Sequence, residues 1–321
     1  MYIDLECQLK MQKVIAVVLT YNRKNLLEEC LNAILQQTYS VEKIVLVDNG
    51  STDGTRNYLE EIKILPNDII DYSFIEKNVG PAAGYEFGMT RALNYDADWQ
   101  WVMDDDTIPT QTCLEELIKA SVVLKGEKIS FLASTVFGEN NEFMNVPSID
   151  NTPSENGYQS WYKYLKEGLV RISAATYVSL LIKQDAMKVC GFPYKGFYFW
   201  GIDTEQTRRF IKFYGDAYFC GKSIAIHKRK NAKDLNIETE TSKERIKAYS
   251  SLYMANAVIT DYYDGKKAYF FVLLRFLKQG TKLLLKGRFQ KAFVLYHGCL
   301  SSLMEKRRFK KFMRKEKEFV K

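Results

Sequence analysis

No apolar run in this sequence reaches the roughly 18 residues that a spanning helix needs, and the first residues show no basic region, long apolar stretch or small-residue cleavage site. The expectation is a chain made and kept on the cytoplasmic side. The six cysteines, Cys7, Cys30, Cys113, Cys190, Cys220 and Cys299, lie far apart without CxxC or Cys/His ligand spacing, which disfavours a zinc finger and reads as reduced thiols. Histidine is scarcer, with two in 321 residues. The first strand-to-helix turn has no G-x-G-x-x-G, and G-x-x-x-x-G-K-[ST] occurs nowhere, so neither the pyrophosphate grip of a dinucleotide-binding domain nor a P-loop is present. Acid is nearly missing from one stretch: Lys266 to Lys321 holds 17 Lys/Arg against three Asp/Glu, a net of +14. Of the formal +7 of the whole chain, the first 265 residues therefore carry about −7. That split implies two surfaces with different partners. The 46% apolar content, six prolines and eighteen glycines suit one large α/β domain with an appendage.

What is present centres on Trp99 to Asp106, Trp-Gln-Trp-Val-Met-Asp-Asp-Asp. An apolar and aromatic run reads as a buried strand, and three carboxylates follow at its C-terminal end, where open α/β sheets place their ligands. Adjacent acids repel one another unless a cation or a hydrogen-bond network compensates them. With Asp104 and Asp106 on one side and Asp105 on the other, two carboxylates can share one divalent ion. The competing reading is an acidic turn before a helix that starts near Pro109.

Upstream, Val14 to Leu19 is a β-branched strand closed by Thr20-Tyr21-Asn22-Arg23, and Leu26, Leu27, Cys30, Leu31, Ile34 and Leu35 recur at helical spacing. Lys43 to Val47 gives a second strand that ends in Asp48-Asn49-Gly50-Ser51-Thr52-Asp53-Gly54-Thr55. Strand, helix, strand implies parallel pairing, with both loops on one sheet edge. There Asp48 can accept hydrogen bonds from a base or a ribose, while Ser51, Thr52 or Asp53 can cap the helix that starts near Thr55. Gly84 and Gly88, after Asn78-Val79-Gly80-Pro81-Ala82-Ala83, leave one helix face without bulk, suiting either close packing or ligand approach.

These stretches together with Met103-Asp104-Asp105-Asp106 resemble the successive signatures of family 2 glycosyltransferases over roughly residues 13 to 230. The resemblance implies an α/β GT-A (Rossmann-like) fold, with a mixed, mostly parallel sheet flanked by helices, and sugar transfer from a nucleotide diphosphate with Mn²⁺ or Mg²⁺. It implies donor contacts from Thr20, Tyr21, Asp48, Asp104 and Asp105, with Asp106 on the metal that bridges the diphosphate.

Residues 138 to 160 are polar and aperiodic, an acceptor-side excursion or a plain surface insertion. Strand structure returns between Leu169 and Ile182, before a helix near Asp185. The stretch Gly191 to Glu205 joins Phe197-Tyr198-Phe199-Trp200 to Asp203 and Glu205. Flat aromatic faces suit sugars but are also ordinary core, and Asp203 with Gln206 three positions on fits a capping box. The resemblance makes Asp203 the catalytic base, with Trp200 and Glu205 on the acceptor side. Galactofuranosyl relatives often show Trp-Asp-Asp here, whereas this chain has Trp200-Gly201-Ile202-Asp203. His227 ends the run Ser223-Ile224-Ala225-Ile226; a lone histidine is usually structural, but the resemblance implies a second metal ligand. Lys228, Arg229 and Lys230 either neutralise diphosphate or face solvent.

Lys243 to Tyr263 is helix-like, with Ile246, Tyr249, Tyr253 and Ala257 on one face. Beyond it, apolar groups alternate with lysine and arginine, as in helices that lie on anionic membranes. The domain expectation is a catalytic domain over residues 1–240 and a basic helical region over 241–321. The functional expectation is an inverting, metal-dependent glycosyltransferase of cell-surface polysaccharide synthesis, with galactofuranose as one donor sugar. A rhamnosyltransferase using dTDP-rhamnose and a non-catalytic glycan-binding protein are the alternatives. Expected partners are a nucleotide-sugar, a glycan or polyprenyl-diphosphate-linked glycan, and an anionic membrane at the inner face of the plasma membrane. Nucleic acid is not expected, and self-association stays open.

Overall fold

The structure, a computed structural model, describes residues 12–229 and 235–318, so Cys7 and Lys230 lie outside the described residues. The chain forms two compact units, Met1–Phe192 with Gln206–Ala232, and Pro193–Glu205 with Lys233–Lys321.

The first unit opens with β1 (Val14–Thr20), α1 (Lys24–Leu35), β2 (Lys43–Asp48), α2 (Thr55–Glu61), β3 (Ile70–Phe74), α3 (Pro81–Ala92) and β4 (Trp99–Asp104). Strands alternating with helices pair in parallel, since each helix must return the chain to the same sheet edge. That holds for β1 with β2, β1 with β4 and β2 with β3. The chain continues through β5 (Thr107–Pro109), α4 (Cys113–Val123), β6 (Ile129–Phe137), β7 (Phe143–Met144), β8 (Ser148–Ile149), β9 (Leu169–Ala174), β10 (Leu180–Lys183), α5 (Gln184–Cys190), α6 (Ile202–Phe213) and β11 (Asp216–His227). The order β3-β2-β1-β4-β10-β6-β11-β9-β8 makes one mixed sheet, with β10 antiparallel to both neighbours. This α/β sheet flanked by helices is a GT-A fold.

Every residue of β1 is buried, as a central strand covered on both faces requires. Val14, Ala16 and Val18 face a core built with Leu27, Cys30, Leu31 and Ile34 of α1. On the other face α3 sits so close that a Cβ at Gly88 would lie 2.9 Å from both Val17 and Val47. The bare helix face anticipated at Gly84 and Gly88 thus serves close packing on the sheet. Pro109 ends β5, which pairs with β11, and α4 begins at Cys113.

The second unit is a helical extension of α7 (Lys243–Tyr263), α8 (Gly265–Leu285) and α9 (Phe289–Glu318), joined by Pro193–Glu205. Ile246, Tyr249, Tyr253 and Ala257 of α7 meet Tyr269, Phe276 and Leu283 of α8 and Ala292, Leu295 and Cys299 of α9 in one core. Phe197 stacks on Phe309 with ring centroids 5.5 Å apart, and Tyr194 donates to Glu305 at 2.6 Å. Among the described residues no helix is long and apolar enough to cross a membrane.

Candidate active site

Parallel strands deliver their C-terminal loops to one edge, and β1, β2 and β4 end there on Thr20, Asp48 and Asp104. Asp105 and Asp106 form a turn between β4 and β5, so their divergence comes from that turn and not from strand alternation. Asp105 points to Thr20, whose hydroxyl donates to it at 2.7 Å, and to Arg23 at 3.2 Å. Asp106 takes a second Arg23 contact at 2.7 Å. Antiparallel pairing of β5 with β11 sets His227 opposite Thr107, which brings its Nε2 to 3.1 Å from Asp106 Oδ1. Asp104 accepts a short hydrogen bond from Tyr85 of α3. Ligand atoms of Asp104, Asp106 and His227 all lie within 4.8 Å of one another.

Burial raises the Asp104 carboxyl above the usual carboxylate range, and Asp106 adds to the effect while Tyr85, His227 and Arg23 oppose it. Burial lifts Asp105 to about 7 against the downward pull of Arg23. Burial also resists ionisation of Asp106, but the His227 ring and Arg23 outweigh it and hold that carboxyl below its ordinary value. The three acids are therefore unequal, and Asp106 is the one held below its ordinary value.

Asn145, from the polar excursion, holds the far side of the His227 ring. Its Nδ2 donates to Thr176 Oγ1 at 3.1 Å, which turns its Oδ1 to His227 Nδ1 at 2.9 Å. An amide oxygen only accepts, so Nδ1 carries the hydrogen. Nε2 can then meet Asp106 Oδ1 only across a shared cation, either a proton or a metal ion. Oδ1 of Asp106 is buried and faces that nitrogen at 3.1 Å. Two carboxylates and an imidazole whose far nitrogen is hydrogen-bonded form a donor set that suits a divalent ion.

The remaining donor-side candidates sit in the loops at the same edge. Asp48 is buried, accepting from Tyr72 Oη and the Ser51 N–H, each at 2.8 Å. The Asn22 carboxamide accepts from the Thr52 N–H at 2.7 Å, tying the first loop to the second. Thr20 is buried and Tyr21 is exposed. Of the three proposed caps, Asp53 accepts from the Thr55 N–H at 3.2 Å, next to Gly54 at the start of α2. Lys228 pairs with Glu29 instead of standing free.

Trp200, Asp203 and Glu205 belong to the segment grouped with the helical unit. Trp200 packs edge-on against Tyr249 at 5.1 Å, and buried Glu205 accepts from Tyr263 Oη at 2.9 Å. Asp203 is the second residue of α6, and its carboxylate accepts from the Thr204 N–H at 2.7 Å. The capping box does not form, because the helix begins before Asp203 and Gln206 donates instead to the Gly191 carbonyl at 2.9 Å.

Sequence reasoning missed Arg23, Tyr85 and Asn145. Arg23 stood inside a quoted motif and Tyr85 directly after one, but their contacts span 82 and 19 residues of chain and leave no periodic trace. Asn145 gave one faint signal: asparagine tolerates the left-handed backbone, and here its φ is 49°.

Residues 15–171 match Glycosyl transferase family 2. Over 99 residues the chain is 34% identical to galactofuranosyltransferase GlfT1 of Mycolicibacterium smegmatis, covering 31% of this chain and 32% of that one. Over 205 residues it is 27% identical to glycosyltransferase AglE of Haloferax volcanii, covering 61% and 60% respectively. The chain thus spans less than two thirds of the length of these curated relatives. The crystal structure of GalNAc-T7 with UDP, GalNAc and Mn²⁺ superposes with a TM-score of 0.56 over 77% of this chain and 51% of that one. At 16% identity, that is a likeness of fold.

Proposed function

We propose that this chain, whose residues 15–171 match Glycosyl transferase family 2, is a member of that family that moves a sugar from a nucleoside diphosphate to a glycan hydroxyl, with inversion at the anomeric carbon. The observation that carries the reading is the convergence of Asp104, Asp106 and His227 where the parallel strands end. These three residues would hold Mn²⁺ or Mg²⁺, which when bound stabilises the negative charge of the departing diphosphate. Thr20, Tyr21 and Asp48 line the loops that take the nucleoside, and Asp105 fixes Arg23 and Thr20 beside them.

Asp203 is the base. It takes the proton of the acceptor hydroxyl as that oxygen bonds to the anomeric carbon, while the bond to the diphosphate oxygen breaks and its electron pair leaves with the nucleotide. One base and one displacement give inversion; retention would require a second nucleophile. Trp200 and Glu205, expected on the acceptor side, instead pack against Tyr249 and Tyr263 and hold the segment that carries Asp203. A galactofuranosyl donor is favoured by the 34% identity to a galactofuranosyltransferase in the matched segment. The acceptor is a glycan, free or polyprenyl-diphosphate-linked, in cell-surface polysaccharide synthesis at the inner face of the plasma membrane.

The test is a screen of nucleotide-sugars, with release of nucleoside diphosphate as the readout, in Mn²⁺ and in chelator. At least one donor should be consumed in Mn²⁺, with consumption lost in chelator and in Asp106→Ala. No turnover of any donor, or turnover indifferent to Asp106→Ala, overturns the proposal.

A further inference from the structure

Large apolar side chains normally go inward, and a contiguous set left outside marks an interaction surface. Helices α8 and α9 each build the core with one face and leave apolar residues on the other. On α8, Tyr269, Phe276 and Leu283 are buried while Phe270, Phe271, Leu274 and Leu285 are exposed. On α9, Phe289, Phe293, Leu300 and Met304 recur at helical spacing and are exposed. The set is densest where the two helices join, with Leu285 86% exposed and Phe289 and Phe293 each 68% exposed.

Charge identifies the occupant. Helix α8 contains no acidic residue. The one acid of α9 before residue 315, Glu305, is buried and bonded to Tyr194 and Arg308. Lys282 and Lys286 are taken up by Glu238. Lys278 of α8, and Arg307 and Lys311 of α9, pair with no acid among the described residues and follow the apolar positions at helical spacing. A second copy of the chain would press cation against cation across this face. An anionic lipid bilayer supplies both what the aromatic rings and what the cations lack.

We propose that the outer face of the α8–α9 hairpin seats on an anionic bilayer, with Leu285, Phe289 and Phe293 entering the headgroup and acyl boundary and Lys278, Arg307 and Lys311 meeting lipid phosphates. The inference deepens the reading that the acceptor is membrane-borne and rests on it.

The experiment is sedimentation of the full chain with vesicles of phosphatidylcholine alone and of phosphatidylcholine with phosphatidylglycerol, without donor or acceptor. Binding should require phosphatidylglycerol and weaken as salt is added. A triple variant, Lys278→Gln with Arg307→Gln and Lys311→Gln, should lower partitioning about 100-fold, at about fivefold per cation. Phe289→Ser with Phe293→Ser keeps the charge and should lower it at least about tenfold. Melting temperatures near wild type establish that both variants fold. Equal binding to neutral vesicles, or insensitivity to either variant, overturns the proposal, as does light scattering that shows a dimer dissolved by these substitutions. Donor consumption without vesicles is read separately and should be unchanged in both variants. Its absence from the wild type would sink the proposed activity and leave the lipid surface standing.

Discussion

In the sheet unit, Asp105 and Asp106 are buried and meet Arg23 at 3.2 and 2.7 Å, while in α8 and α9 Lys278, Arg307 and Lys311 lie in solvent among exposed phenylalanines and leucines. The same chain thus handles charge in two ways. Buried groups hold one another in fixed geometry and shift one another's protonation, which is what the proposed chemistry on a diphosphate requires. Exposed cations beside apolar groups have no fixed partner and suit a soft, extended, negatively charged one.

The comparison breaks most visibly through the proposed base. Asp203→Asn should lower turnover by about 10²–10⁴-fold while donor affinity stays near wild type. Turnover and donor titration in one preparation decide it, and near-normal turnover removes Asp203 from the mechanism. Phe309, fully buried in the helical unit, sharpens the contrast from the other side. Phe309→Ala should cost about 3–5 kcal/mol in that unit, measured by denaturant unfolding, and leave Mn²⁺ affinity intact. A parallel loss of Mn²⁺ binding would mean that the two regions do not behave separately.

Asn145→Ala frees the His227 ring and should weaken Mn²⁺ binding about 10–100-fold by calorimetry. An unchanged affinity would show that the ring is held without the amide. The smallest effect belongs to an ordinary ion pair. Asp71 is held below its usual range because hydrogen bonds from Arg91 and Tyr95 outweigh burial. A lowered folded value stabilises the native state above the unfolded carboxyl value and loses that contribution as pH falls through the folded one. Asp71→Asn should therefore cost about 0.5–1 kcal/mol at neutral pH, with the gap closing below about pH 4 in paired melts.

Much of this was legible before any coordinates. Val14 to Leu19, Lys43 to Val47 and Trp99 to Met103 are apolar enough to declare central strands, and acids after the last of them mark a ligand edge because strand ends carry loops. The spacing of Ile246, Tyr249, Tyr253 and Ala257 marked the inner face of α7, which the core buries. The three-residue strand β5 was not legible, since pairing with β11 depends on a partner more than 110 residues away. Nor was the aim of Asn145: an aperiodic polar segment says nothing about which side chain turns inward. The start of α6 was displaced by Gly201, whose φ of 93° lets the chain turn before Asp203.

Arg23 has a consequence for handling the protein. Because a guanidinium already neutralises part of the acidic cluster, folding should not wait for an ion, unlike small metal domains that collapse only around their ligand. Chelator-stripped material should keep its melting transition and regain Mn²⁺ on dialysis, so loading is a reversible step that can be titrated on one sample.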